Sequence, residues 1–293
     1  MKKTLAMMTA AVMVAGALAG CGSSSSTPVA TTAEATTAAA TEAATTEAAG
    51  DTAAAAEGTV KTPSGKFTVG FDQEFPPMGF VGDDGQFTGF DLDLAKEVAS
   101  RLGLEFVPQP INWDAKDMEL DSGNIDCIWN GFTMQGREDA YTWVGPYMAN
   151  NQVFVVTADS DIASKADLAG KAVEVQKDSS GLAALQGDAE LSASFGSMTE
   201  VADYNTALMD LESGACDAVC MDSIVAGYQI KSSGKDMKIL DDTLSAEEYG
   251  IGFKKGEDEL AKAVYDTLME MKDDGTVAKI SNDWFGSDVF TLK

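Results

Sequence analysis

The chain contains no histidine among its 293 residues. That absence excludes Ser-His-Asp and Cys-His catalysis, and with them zinc or haem held by imidazole. Positive charge is scarce as well: 20 lysines and arginines stand against 47 acids, a formal net charge of −27. Nothing basic clusters, so neither nucleic acid nor an anionic membrane surface is expected as a direct partner. Arginine occurs only at Arg101 and Arg137. No glycine-rich phosphate loop is present. The Asp-Asp-Gly runs at Asp83 and Asp273 lack the ligand series of a calcium loop and read as turns. Cysteine is sparse too. Cys216 and Cys220 fall in one expected strand, about 13 Å apart and too far for a bridge. Cys127 is remote from both. With no Cys-x-x-Cys spacing, neither a metal nor a cofactor is expected.

What is present begins at the N-terminus. Met1 to Thr4 (MKKT) is a charged start, and Leu5 to Leu18 is an apolar run too short to span a bilayer. Leu18-Ala19-Gly20-Cys21 resembles a bacterial lipobox. The resemblance implies a signal peptide over residues 1–20, cleavage before Cys21 and lipidation of its thiol. The lipid alone would hold the protein on the outer face of the cytoplasmic membrane. Residues 21–61 are rich in Ser, Thr and Ala, carry five acids and show no apolar stripe, as expected of a disordered spacer. Free thiols in an exported chain point to a reducing habitat.

Beyond the spacer the pattern alternates. Strands are expected over Lys66–Phe71, Ile125–Trp129, Gln152–Ala158 and Ala172–Gln176, with helices between them. Phe67, Val69 and Phe71 share one strand face. Leu94, Val98 and Leu102 form a helical stripe, with Asp91 as the expected cap and Gly103 as the stop. Alternating strands and helices define an α/β class with parallel sheets. Two similar blocks follow one another, about 66–147 and 152–244. Open α/β sheets place ligands at the C-terminal ends of their strands.

Gly89 to Leu102 (GFDLDLAKEVASRL) resembles the signature segment of the family 3 extracellular solute-binding proteins, the amino-acid receptors of ABC importers. DQEFPPMGF, GFTMQGRE, DLAGKAVEVQ, CDAVCMD, YGIGF and DWFG follow in the family's order, so the similarity runs from about Lys66 to Gly286. The resemblance implies a two-lobed, periplasmic-binding-protein-like α/β fold (type II) with two crossing strands near Tyr147–Asn151 and Ser245–Tyr249. One lobe would comprise 62–148 with 249–293, and the other 149–248.

The family binds a free amino acid, whose two charges need partners once buried. By resemblance, Arg137 would grip the ligand α-carboxylate with its planar fork, aided by Thr133 and a backbone N–H near Gly131. The spacing from Gly131 to Arg137 is one residue shorter than in many members. Asp222 would take the α-ammonium. Phe75 and Trp113 match the positions that sandwich the ligand side chain. Gln176, Ser179 and Ser180 would meet the carboxylate from the second lobe. Asp72 and Glu74 suggest a polar or basic ligand, and Asn130 could bond the carboxylate region or a side-chain amide. The expected protein is a monomeric receptor without catalysis that delivers its ligand to an ABC permease. Two alternatives remain: a sensor lipoprotein, or an exported cyclohexadienyl dehydratase on the same fold with Glu174 as its acid.

Overall fold

The computed structural model describes Thr62 and residues 64–293. The expected signal peptide, Cys21 and the spacer lie outside the described residues. The folded body belongs to the unit Ala56–Lys293.

Strand β1 (Lys66–Phe71) opens the body with Phe67, Val69 and Phe71 fully buried, as a period of two requires. β2 (Glu74–Phe75), β3 (Gly79–Val81) and β4 (Phe87–Thr88) make a small antiparallel sheet of their own. Helix α1 (Phe90–Leu102) buries Leu94 and Val98 and stops at Gly103, which adopts the left-handed conformation. Asp91 does not cap it. Gly89 holds the N-cap position, and Asp91 sits in the first turn with its carboxylate in the interior. β5 (Glu105–Pro110), α2 (Lys116–Ser122), β6 (Cys127–Thr133) and the 17-residue β7 (Tyr141–Thr157) follow.

The second block contains β8 (Ala172–Gln176), α3 (Ser180–Gly187), α4 (Ala189–Ser194), β9 (Ser197–Val201) and α5 (Tyr204–Ser213). It continues with β10 (Ala218–Asp222), α6 (Ser223–Ser233) and β11 (Met237–Ile239). β12 (Ser245–Lys254) then returns the chain to the first block, where α7 (Asp258–Asp273) and α8 (Thr276–Phe285) pack against α1.

The strand order is β5-β1-β6-β12-β7-β10-β8-β9, with β11 also on β7. β5, β1 and β6 are parallel in one lobe, and β10, β8 and β9 in the other. Among the described residues, β7 and β12 are the longest antiparallel pair, running from Ser245 opposite Gln152 to Lys254 opposite Tyr141. Their register is interrupted between Tyr249 and Ile251. Apolar clusters cover both faces of the sheets, as Phe132 with Ile125 and Tyr141 shows in one lobe and Phe154 with Val175 and Leu185 in the other.

Two strands differ from expectation. β6 runs to Thr133 rather than ending at Trp129, because β12 supplies ladder partners for Phe132 and Thr133. β7 begins at Tyr141, eleven residues earlier than expected, because β12 also pairs with its polar and glycine-containing first half. Both extensions depend on a strand about 100 residues away in sequence.

Candidate ligand-binding cleft

The ends of β1 and β6 face the ends of β8 and β10 across the junction of the lobes. Between them lies a small hollow of about 10 Å³. Phe75, Trp113, Gly131, Thr133, Arg137, Gln176, Ser179, Ser180 and Asp222 line it. Nine of the twelve residues singled out from sequence thus meet in one place.

Arg137 follows β6 in a turn that its own N–H closes onto the Met134 carbonyl. The guanidinium lies 5.1 Å from the centre of the Phe132 ring. It donates to the Thr133 carbonyl at 3.1 Å and, across the cleft, to the Asp178 carbonyl at 3.4 Å. No carboxylate of the protein pairs with it among the described residues. Opposite it, α3 begins at the hollow. Ser179 is the N-cap, its hydroxyl accepting from Leu182 N–H at 3.1 Å. A helix N-terminus beside a guanidinium favours an anion.

Gly131 has φ +55°, and a Cβ there would meet Phe75 at 2.9 Å and Tyr249 at 3.1 Å. Its N–H donates to Asp91 at 2.7 Å, and Tyr147 O–H donates to the same carboxylate oxygen at 2.8 Å. The N–H of Gly131 itself is therefore committed to Asp91. Burial pushes Asp91 up to about 7, against the lowering effect of these two donors.

The other end of the hollow is anionic. Asp222 ends β10 and is buried. It accepts from Asn150 Nδ2 and Tyr249 O–H, each at 2.7 Å, and from Tyr204 O–H at 3.1 Å. It makes no capping bond to α6. Glu247, from β12, is buried beside it. One Glu247 oxygen accepts from Asn150 at 2.6 Å, and from Gln152 and Thr133 at 2.9 Å. Burial, followed by the nearby Glu247 charge, raises Asp222 to about 7. Thr133 thus spends its proton on Glu247 rather than holding it for a carboxylate.

Asp72, Glu74 and Asn130 do not line the hollow. Asn130 Oδ1 accepts from Asp72 N–H at 3.0 Å and so fixes the end of β1. Asp72 accepts from Gln176 Nε2 at 2.7 Å across the cleft, and burial raises it to about 6. Glu74 accepts from Asn205 of α5. Asp72 and Glu74 open instead onto a vestibule of about 1020 Å³ that Trp113 shares with the hollow. Asp114, Glu200 and Asp203 make the vestibule acidic, and Lys177 is a cation on its wall.

The cleft is bridged. Lys177 pairs with Asp114 at 2.7 Å, and Thr133 lies 3.1 Å from Ser180. Lys116, almost wholly buried, pairs with Asp178 and sits 5.3 Å from the Trp113 ring centre. Sequence reasoning missed Lys116, Asn150, Gln152 and Glu247. The one available signal was Gln152, a polar residue placed just before the apolar run Val153–Val156. Glu174 lies away from the hollow; its charge is felt by Cys216, and that of Asp210 raises its own pKa after burial does. This leaves the dehydratase alternative without its acid in the cleft.

Among known proteins, the family model for bacterial extracellular solute-binding proteins, family 3, matches residues 67–287. An L-cystine-binding protein of Escherichia coli (strain K12) is 32% identical over 231 residues, covering 77% of this chain and 84% of that one. A histidine-bound substrate-binding protein of an ABC uptake transporter from Streptococcus pneumoniae has TM-score 0.75 and 34% identity, covering 78% of this chain and 95% of that one. An ancestral arginine-binding protein bound to arginine has TM-score 0.71 and 36% identity, with coverages of 76% and 99%. These relatives are binding proteins rather than enzymes.

Proposed function

This chain belongs to the bacterial extracellular solute-binding proteins of family 3, and we propose that it captures a free polar or basic amino acid and delivers it to an ABC permease. The observation that carries the reading is a single hollow with a guanidinium at one end and a buried carboxylate at the other. A zwitterion is the small molecule that such a hollow neutralises at both ends, and an unpaired charge left there would be costly. Arg137 and the start of α3 hold the α-carboxylate. Asp222 holds the α-ammonium. Phe75 and Trp113 flank the side chain and direct it past Gln176 toward Asp72. The lobes close over the ligand by a hinge in β7 and β12. A lipid on Cys21 tethers the protein to the membrane, and the Ser/Thr/Ala segment sets the body off from the surface.

An acid at the Asp72 position and an acidic vestibule favour a ligand whose side chain ends in a cation. L-cystine is the second reading. The vestibule is far larger than one side-chain tip needs, and its wall carries acids together with Lys177, which suits a second zwitterionic end. A thermal-shift panel of all common amino acids with L-cystine tests both. A ligand at a hundredfold excess over its Kd adds about 2.7 kcal/mol of stability. A basic amino acid or cystine is expected to raise the midpoint. A panel in which no amino acid does so ends the reading. Mass spectrometry of the membrane fraction tests the anchor, with a diacylglyceryl group on Cys21 as the expected result.

A further inference from the structure

Glu247 is the least expected group at the anionic end. It stands on β12 directly opposite Asn150 of β7, at the crossing between the lobes. A single amide nitrogen, Asn150 Nδ2, reaches both Asp222 at 2.7 Å and Glu247 at 2.6 Å. The two buried carboxylates are therefore neighbours. The groups packed around them supply no compensating charge. β12 contributes Tyr249, α5 contributes Tyr204 and β10 contributes Cys220, all neutral because burial raises them well above their ordinary values. β7 contributes the amides Asn150 and Gln152, and α3 contributes Ser180. Arg137, after β6, is the cation on the hollow's wall, and it is turned toward the Thr133 and Asp178 carbonyls.

We propose that Glu247 is the positioning residue for the ligand's ammonium: it draws the Thr133 proton to itself, so that Thr133 presents lone pairs to the hollow, and with Asp222 it holds in the empty site a proton that the ammonium displaces. The inference rests on the amino-acid reading. Its first half follows from donor count. Thr133 has one hydroxyl proton, and the Glu247 carboxyl oxygen at 2.9 Å takes it in preference to the Ser180 hydroxyl at 3.1 Å. Its second half follows from proximity. Two carboxylates that share a donor in a dry site do not both ionise without a cation. When an ammonium arrives, the carboxylic O–H gives its proton to solvent, and both groups stand ionised against the ligand's charge. The burial and Glu247 charge that raise Asp222 to about 7 agree with this.

Calorimetry of the purified protein with L-arginine, L-lysine and L-cystine, in two buffers of different ionisation enthalpy, counts the protons released. The expected result at pH 6 is release of close to one proton per ligand, with affinity falling about tenfold per pH unit below pH 7. Glu247→Gln keeps an acceptor for Asn150 and Thr133 but removes the charge. It should weaken binding about 10–100-fold at pH 8, as expected for a lost charge-assisted partner, and cut the proton count at pH 6 by more than half. Binding by the wild type without proton release overturns the proposal while leaving the amino-acid reading intact. So does a Glu247→Gln variant that binds with the wild-type proton count. If none of the three probes binds, the full amino-acid panel decides the amino-acid reading, and ¹³C carboxyl titration of the empty protein decides the proton pair. A resonance titrating near pH 7 that disappears in Asp222→Asn and moves down in Glu247→Gln supports it; a resonance that Glu247→Gln leaves in place refutes it.

Discussion

Replacing Arg137 with lysine keeps the charge and removes the fork. The guanidinium sits over the Phe132 ring and is steered by two carbonyls, which leaves its remaining N–H groups for a ligand. A carboxylate accepts two parallel bonds from a planar guanidinium, whereas an ammonium gives one well-aimed bond at most. Loss of one charge-assisted bond costs about 1.5–3 kcal/mol, or about 10–150-fold in Kd. Arg137→Ala leaves the ligand carboxylate buried without a cation, and the expected loss is about 3–5 kcal/mol. Neither change should unfold the empty protein. Arg137 is half-buried and makes only carbonyl bonds, so the ligand-free midpoint should fall by less than about 4 °C. Titration calorimetry with the ligand selected by the panel reads Kd, and thermal unfolding without ligand reads stability. A lysine variant that binds within threefold of wild type would refute the carboxylate clamp. So would a variant that loses binding only in proportion to lost stability.

Stability should also depend on pH in an unusual direction. Asp72, Asp91 and Asp222 are raised by burial to about 6, about 7 and about 7 in the folded chain. The folded state therefore binds more protons than the unfolded state between about pH 4 and pH 7, and stability falls as pH rises through that window. The ligand-free thermal midpoint should be higher at pH 5 than at pH 7.5 even in 0.5 M salt, which screens surface repulsion but not buried groups; a midpoint rising with pH would contradict the assignment. Gly131→Ala places a Cβ 2.9 Å from Phe75 at φ +55°, and unfolding experiments should show a loss of about 2 kcal/mol together with weakened binding. Cys127, Cys216 and Cys220 are buried, and burial raises all three thiols, Cys216 to about 12. A thiol reagent should leave them unmodified in the native protein, and the unfolded mature lipoprotein should titrate three thiols rather than four. Rapid native labelling would count against the packing around them.

The sequence by itself determined the alternation of strands and helices, because burial on both faces of a sheet and on one face of a helix leaves periods that neighbouring residues display. It also set Arg137 and Asp222 apart: one arginine in a long stretch poor in bases, and one aspartate at the exit of an apolar strand. It misjudged Asp91, whose helix-start position suggested a cap while its carboxylate holds Gly131 from 40 residues away. It passed over Glu247 and Lys116, which read as ordinary surface charges among 47 acids and 20 bases. Only the tertiary structure buried them, by bringing β12 against β7 and the Asp178 loop against α2. Periodicity reports which face of an element is apolar. Whether a single charge on that element is dry, and which distant group shares its proton, depends on strands that meet only when the chain has folded.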